Sequence, residues 1–224
     1  MSFIWIIMIA VMVLSFIIQQ TLTARFDRYS QVRAPQDLSG AEIARRMLED
    51  NGIMNVSVEC IDGKLTDHYN PETKTLNLSE AVYSGRSIAA AAVAAHECGH
   101  AVQDAFSYAP LRMRSALVPA VSFANKWVQW VLLAGVLFIQ IFPHLIWAGI
   151  ILFAMTTLFS LVTLPVEINA SSRAVAWLEK EGIADATTKP MAVDALKWAA
   201  YTYVIAAIGS LATLFYYIGI ARRR

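Results

Sequence analysis

The chain has 224 residues, 57% of them hydrophobic and 16% charged, with a formal net charge of +1. A soluble domain is nearer roughly 45–50% apolar and about 25% charged, so the composition excludes an ordinary soluble globule and points to a membrane protein. The near-zero net charge excludes the broad basic field of a nucleic-acid binder. Two cysteines, Cys60 and Cys98, make no disulfide framework and fit a reducing compartment.

Residues 3–18 are uncharged and apolar, and with their flanks up to Arg25 they are long enough to cross a bilayer, which takes ~20 residues. Neither a basic start nor a small-x-small cleavage site is present, so this reads as a retained anchor. Residues 25–37 read as polar and irregular. Ser39 and Glu42 form a capping box that opens an amphipathic helix ending at Asn51-Gly52, with Ile43, Met47 and Leu48 on its apolar side. Three strands follow: Asn55–Cys60, then Lys64–Tyr69 after the Asp62-Gly63 turn, then Lys74–Ser79 after the Asn70-Pro71-Glu72-Thr73 turn. Ser79 or Ser84 is placed to cap a short helix. Ser87 caps a longer, alanine-rich helix starting at Ile88.

That helix carries His96, Glu97 and His100 in the spacing H-E-x-x-H. Imidazoles four residues apart on a helix lie one turn apart on one face, and the intervening glutamate is placed beside whatever they hold. The pattern is that of zinc peptidases, with the histidines as ligands and Glu97 as general base.

Pro110–Lys126 reads as a mixed helix. Trp127–Pro165 is apolar and without formal charge, too long for one span. Pro143-His144 marks a turn, giving a helical hairpin of Trp127–Phe142, extended backward, and Leu145–Leu164. Pro165 opens a helix bearing Glu167 and Arg173 and running to Glu181-Gly182. Asp185–Lys189 is a turn, Met191–Trp198 a further helix, and Ala199–Ile220 a last apolar span closed by Arg222-Arg223-Arg224. The expected divisions are an anchor (1–24), a region with the sheet and motif helix (25–126), the hairpin (127–165), a helix with the third ligand (166–198), and a last span with a basic tail (199–224).

A catalytic zinc site takes three protein ligands and one open position. His144 sits at the hairpin tip, a membrane thickness away. Cys98, two residues from each motif histidine, faces the other side of the helix. The hairpin leaves and returns on the same side, so Glu167 comes back near the motif helix and is the best third ligand. His68 reads as a turn or hydrogen-bonding residue.

The segments Gly63–Pro71, Leu76–Ser79, Ser87–Gln103 and Leu164–Ser171 together resemble the bacterial membrane zinc metallopeptidases of the YugP type, themselves similar to the gluzincins that include the CaaX prenyl proteases and the HtpX heat-shock proteases. The resemblance covers nearly the whole chain. It implies His96, His100 and Glu167 as ligands of one catalytic Zn²⁺ and Glu97 as base. In the wider prenyl-protease pattern an Asp follows the ligand Glu by four residues; here that position is Ser171, and Asn169 or Asp104 is a candidate for its role. Candidate oxyanion donors are His68, Tyr69 and Arg173. The strand Lys74–Ser79 is a candidate edge for pairing an extended substrate.

The expected fold is therefore an α-helical integral membrane protein with a small β-sheet, its zincin-like H-E-x-x-H helix packed with a transmembrane bundle of about four spans. The expected function is a membrane-embedded zinc peptidase, with quality control of membrane proteins as its candidate role. Its partners are a peptide or protein substrate and the lipid bilayer. The alternative is a non-catalytic membrane scaffold with a structural zinc. Arg25, Arg28, Arg33, Arg112, Arg114 and Lys126 flank the motif side, which places it in the cytoplasm of a bacterial multi-pass membrane protein. On this reading the motif helix lies at the membrane surface.

Overall fold

The computed structural model describes residues 2–222; Arg223 and Arg224 of the basic tail lie outside the described residues. In chain order the elements are α1 (Ser2–Tyr29), α2 (Gly40–Asp50), β1 (Ser57–Ile61), β2 (His68–Asn70), β3 (Thr75–Ser79), α3 (Glu80–Tyr83), α4 (Ile88–Ala105), α5 (Ala109–Leu137), α6 (Pro143–Lys180) and α7 (Lys189–Arg222). Helices α1, α5, α6 and α7 are long and apolar enough to cross a membrane. The protein is thus an α-helical membrane protein with four candidate spans and a small sheet.

Local signals explain most boundaries. Ser39 Oγ accepts from Glu42 N and Glu42 Oε2 accepts from Ser39 N, closing the capping box of α2. The helix stops at Asn51, and Gly52 takes φ +70°, a conformation glycine adopts without strain. Ser87 Oγ accepts from Ala90 N and starts α4.

Several boundaries depart from the sequence reading. α1 continues to Tyr29, so Arg25 and Arg28 are helical rather than irregular. The first half of the hairpin extends backward as expected, making one helix α5 with the mixed segment from Pro110, but it ends at Leu137 rather than Phe142. Pro165 does not open a helix but lies inside α6, and the last two helices are a single α7. Proline removes one backbone donor, yet long apolar helices tolerate this better than soluble ones. Flanking helical sequence on both sides of Pro165 outweighs the lost bond. Ser79 precedes α3 without capping it; its hydroxyl instead donates to Asp67.

The sheet differs in topology. Its order is β1-β3-β2, with β1 parallel to β3 and β2 antiparallel to β3. Asp62-Gly63 therefore does not join paired strands, whereas the Asn70–Thr73 turn does, setting Asn70 opposite Thr75. β3 is central, so it has no free edge; this corrects the expectation that Lys74–Ser79 offers one.

Two compact units are present. The first comprises Ile18–Leu111 and Val166–Tyr201. Its core gathers Ile43 and Met47 of α2, Leu76 and Leu78 of β3, the α4 alanines and Leu178 of α6. Full burial of each of the larger side chains contributes about 1.5–3 kcal/mol. The second unit comprises Arg112–Pro165, α1 up to Ile17 and α7 from Thr202. Leu132, Ile146 and Ile150 pack at its centre, where Gly135 lets α5 meet the backbone of α6: a Cβ there would lie 2.7 Å from Ile146 Cα. Trp130, Leu137, Ile151 and Phe215 are exposed on this unit, as suits contact with lipid.

Candidate metal centre

The site is built from two helices of the first unit. The motif helix α4 is unusually thin: Ala89, Ala90, Ala91, Ala92, Ala94 and Ala95 are all buried. Alanine keeps the helix while letting neighbours approach its backbone. At Gly99 the approach is close enough to exclude a side chain, since a Cβ there would lie 2.7 Å from the Ala170 carbonyl oxygen of α6. This backbone contact falls between the motif histidines and Glu167, three residues before Ala170, and brings them together.

His96 and His100 stack edge to face with ring centroids 4.9 Å apart. Glu167 Oε2 lies 3.2 Å from His96 Nε2 and 3.5 Å from His100 Nε2. One donor atom from each of the three residues falls within 4.8 Å of the others. Two ligands at ~2.0–2.1 Å from one zinc ion in tetrahedral array stand about 3.3 Å apart. The two separations from Glu167 match that spacing, and two imidazoles with one carboxylate make a donor set suited to Zn²⁺. His100 and Glu167 are buried, and His96 is mostly so.

Glu97 is also buried, and its Oε2 accepts a hydrogen bond from Tyr69 N of β2 at 3.1 Å. Burial alone would lower the pKa of His100. Hydrogen bonding to Glu167 and the nearby charge of Glu97 outweigh it, so the ring is held above its ordinary value.

The outer contacts of the histidines are neutral. Ser171 Oγ lies 3.1 Å from His96 Nδ1, so the outer contact of that ring is Ser171 rather than Asn169 or Asp104. Asp104 is instead bonded to the Tyr69 hydroxyl and the Lys74 ammonium, fixing β2 and β3 against α4. Gln103 Oε1 lies 3.1 Å from His100 Nδ1, and Gln103 Nε2 donates to Asn169. Sequence reading assigned Gln103 no role, although a polar residue three positions after His100 on a buried face was a usable signal.

The three candidate oxyanion donors all have other partners. The Tyr69 hydroxyl donates to Asp104, Arg173 Nε donates to Asn169 Oδ1, and the two His68 nitrogens face Thr66 O and Asn77. His68 is exposed and opens β2, so it serves as a hydrogen-bonding residue of a strand rather than of a turn.

Cys98 points away from the histidines. It is fully buried, with Sγ 3.4 Å from Ala44 O of α2. Burial, reinforced by the charge of Glu97, pushes its thiol well above the ordinary range. Cys60 on β1 is exposed. A maleimide should therefore label one cysteine per folded chain, at Cys60, and two after denaturation. Rapid labelling of Cys98 in the folded protein, read by peptide mass mapping, would contradict this packing.

Comparison with known proteins agrees with the donor set. Residues 4–222 match the family described as "Putative neutral zinc metallopeptidase". The protein named "Putative membrane protease YugP" of Bacillus subtilis (strain 168) is 44% identical over 210 residues, covering 94% of this chain and 92% of that protein. No solved structure matches. Matched along almost its full length, and with a donor set suited to zinc at its buried centre, the chain belongs to this family of membrane zinc metallopeptidases.

Proposed function

We propose that His96, His100 and Glu167 hold one zinc ion and that Glu97 is the general base of a membrane metalloendopeptidase of gluzincin type. The observation that carries this reading is the convergence of the three donor atoms on the helix that also bears Glu97. Zinc in this donor set supplies a Lewis acid for a peptide carbonyl and lowers the pKa of water to ~7. Glu97 takes the proton of the attacking water and delivers it to the leaving amine. The amide of Tyr69 holds Glu97 Oε2, which fixes the carboxylate's aim and leaves Oε1 for proton transfer. His96 and His100 act as neutral imidazoles, oriented by Ser171 and Gln103.

The edge suited to an extended substrate is β2, the outer strand that carries Tyr69, rather than β3. An edge strand binds main chain, so we read the enzyme as an endopeptidase of loose sequence preference that acts on membrane proteins, in quality control, from the cytoplasmic face. Positive charge at Arg25, Arg28, Arg33, Arg112 and Arg114 supports that face. A C-terminal tag digested from outside spheroplasts fits this topology, because four spans starting from an outside N-terminus return the C-terminus to the outside; a protected tag overturns it. The rival reading, a scaffold with a structural zinc, leaves Glu97 its hydrogen bond to Tyr69 N but gives its carboxylate no proton to transfer.

Zinc binding has a defined pH dependence. A histidine with a raised pKa keeps its proton to higher pH, and only the neutral ring ligates. Affinity should therefore rise with pH through the neutral range, and below the His100 pKa it should fall by about tenfold per pH unit for each proton displaced. Chelator competition at several pH values measures this. An affinity flat from mildly acidic to mildly alkaline pH would remove His100 from the ligand set.

A further inference from the structure

Gln103 is wholly buried, and its side-chain amide bridges the two helices of the metal centre. Its Nε2 donates to Val166 O at 2.8 Å and to Asn169 Oδ1 at 3.0 Å. Asn169 Oδ1 also accepts from Arg173 Nε at 2.8 Å. Its Oε1 faces His100 Nδ1 at 3.1 Å.

The chemistry of these partners fixes the direction of every bond. A guanidinium N–H only donates, so the Asn169 atom facing Arg173 is the oxygen. A backbone carbonyl only accepts, so the Gln103 atom facing Val166 is the nitrogen. The Gln103 oxygen therefore points at His100. That oxygen only accepts, so Nδ1 of His100 carries the ring proton. The lone pair is left on Nε2, the atom that lies 3.5 Å from Glu167 Oε2.

Resting on the zinc reading above, we propose that Gln103 is a positioning residue. It locks His100 in the tautomer that presents Nε2 to the metal, and Arg173 and Asn169 set its direction. The same amide ties His100 to the turn of α6 that carries Glu167, so one side chain sets both the tautomer and the spacing of two donors.

The alternative is that Gln103 only holds the helices together. Two substitutions separate these roles in the full chain in detergent. Gln103→Met is of similar size and offers Nδ1 only a weak thioether acceptor in place of the amide oxygen. Gln103→Glu keeps an acceptor oxygen toward Nδ1 but, as a carboxylate at alkaline pH, cannot donate to Val166 O. Leu178→Ala, a buried change in the α6 core, serves as a stability control. Zinc affinity is read by chelator competition, ligand geometry by the visible spectrum of the cobalt-substituted protein, and fold by thermal unfolding of the metal-free form.

Gln103→Met should weaken zinc binding by about 10- to 100-fold and alter the cobalt spectrum, as expected when the outer partner of a metal-binding histidine is lost. Gln103→Glu should melt earlier yet keep most of the zinc affinity. Leu178→Ala should melt earlier with zinc affinity unchanged. Zinc affinity that is unimpaired in Gln103→Met, or equally lost in both Gln103 variants, overturns the positioning role. Nitrogen NMR of histidine-labelled, metal-free wild type well above neutral pH needs no variant: a protonated, pyrrole-type Nδ1 at His100 is expected, and a pyridine-type Nδ1 overturns the proposal. A wild type that takes up no zinc at all would defeat the underlying zinc reading. A zinc-loaded wild type with an unimpaired Gln103→Met defeats only the positioning role.

Discussion

Replacing Glu97 with Gln should leave zinc bound at one ion per chain and reduce peptide cleavage by ~10²–10⁴-fold, the usual contribution of a positioned general base. The change is nearly isosteric. The amide oxygen can still accept from Tyr69 N, and none of the three donor atoms is touched. What is lost is a group able to take and return a proton. Metal analysis on the purified protein and cleavage of an unstructured protein substrate test the two halves separately. Cleavage within about tenfold of wild type would remove Glu97 from the base role, because that is below the lower bound for general-base catalysis. A wild type without any cleavage that Glu97→Gln abolishes would favour the scaffold reading.

Gly99→Ala should cost more than its single methyl suggests. Helix propensity favours alanine over glycine by about 1 kcal/mol. Against this, the new Cβ would meet three Ala170 backbone atoms, the nearest at 2.7 Å and the others at 3.0 and 3.1 Å. Backbone cannot rotate aside as a side chain can, so α4 and α6 must part. Overpacking of this kind costs about 1–3 kcal/mol. The clash should win, giving a lower melting temperature for the metal-free protein. Because the contact sets the distance from His96 and His100 to Glu167, zinc affinity should fall as well, by at least about tenfold, as with other changes that misplace ligands. Gly219→Ala is the control, since nothing lies within 4 Å of its added Cβ. Equal behaviour of the two variants in thermal melts and chelator competition would show that the Gly99 contact does not set the site.

The sequence made legible those features that rest on local chemistry. Ser39 and Glu42, Gly52, and Ser87 each carry a hydrogen-bonding or backbone reason to start or stop a helix, and the structure uses all of them. The spacing of His96 and His100 and the return of the apolar hairpin were enough to bring Glu167 to the motif helix. Non-local choices were harder to read. The pairing of β1 with β3 is parallel and skips β2, while the Asp62-Gly63 turn advertises a hairpin between neighbours. Pro165 looks like a helix start in isolation and proves internal once the sequence on both sides is helical. Gln103 was hidden because its partners, Val166 O and Asn169, lie more than sixty residues away and one of them is a backbone atom that no sequence pattern displays.

The placement of Glu167 on α6 has a consequence for the life history of the protein. Glu167 lies 71 positions after His96, and the whole of the stretch 112–165 falls between them. A growing chain that has made His96, Glu97 and His100 holds the base and two donors but not the third. The donor set becomes complete only after the hairpin has left the ribosome and Glu167 has followed it. The order of synthesis therefore acts as a delay, keeping the nascent chain from assembling its metal centre before the α5–α6 hairpin has been made.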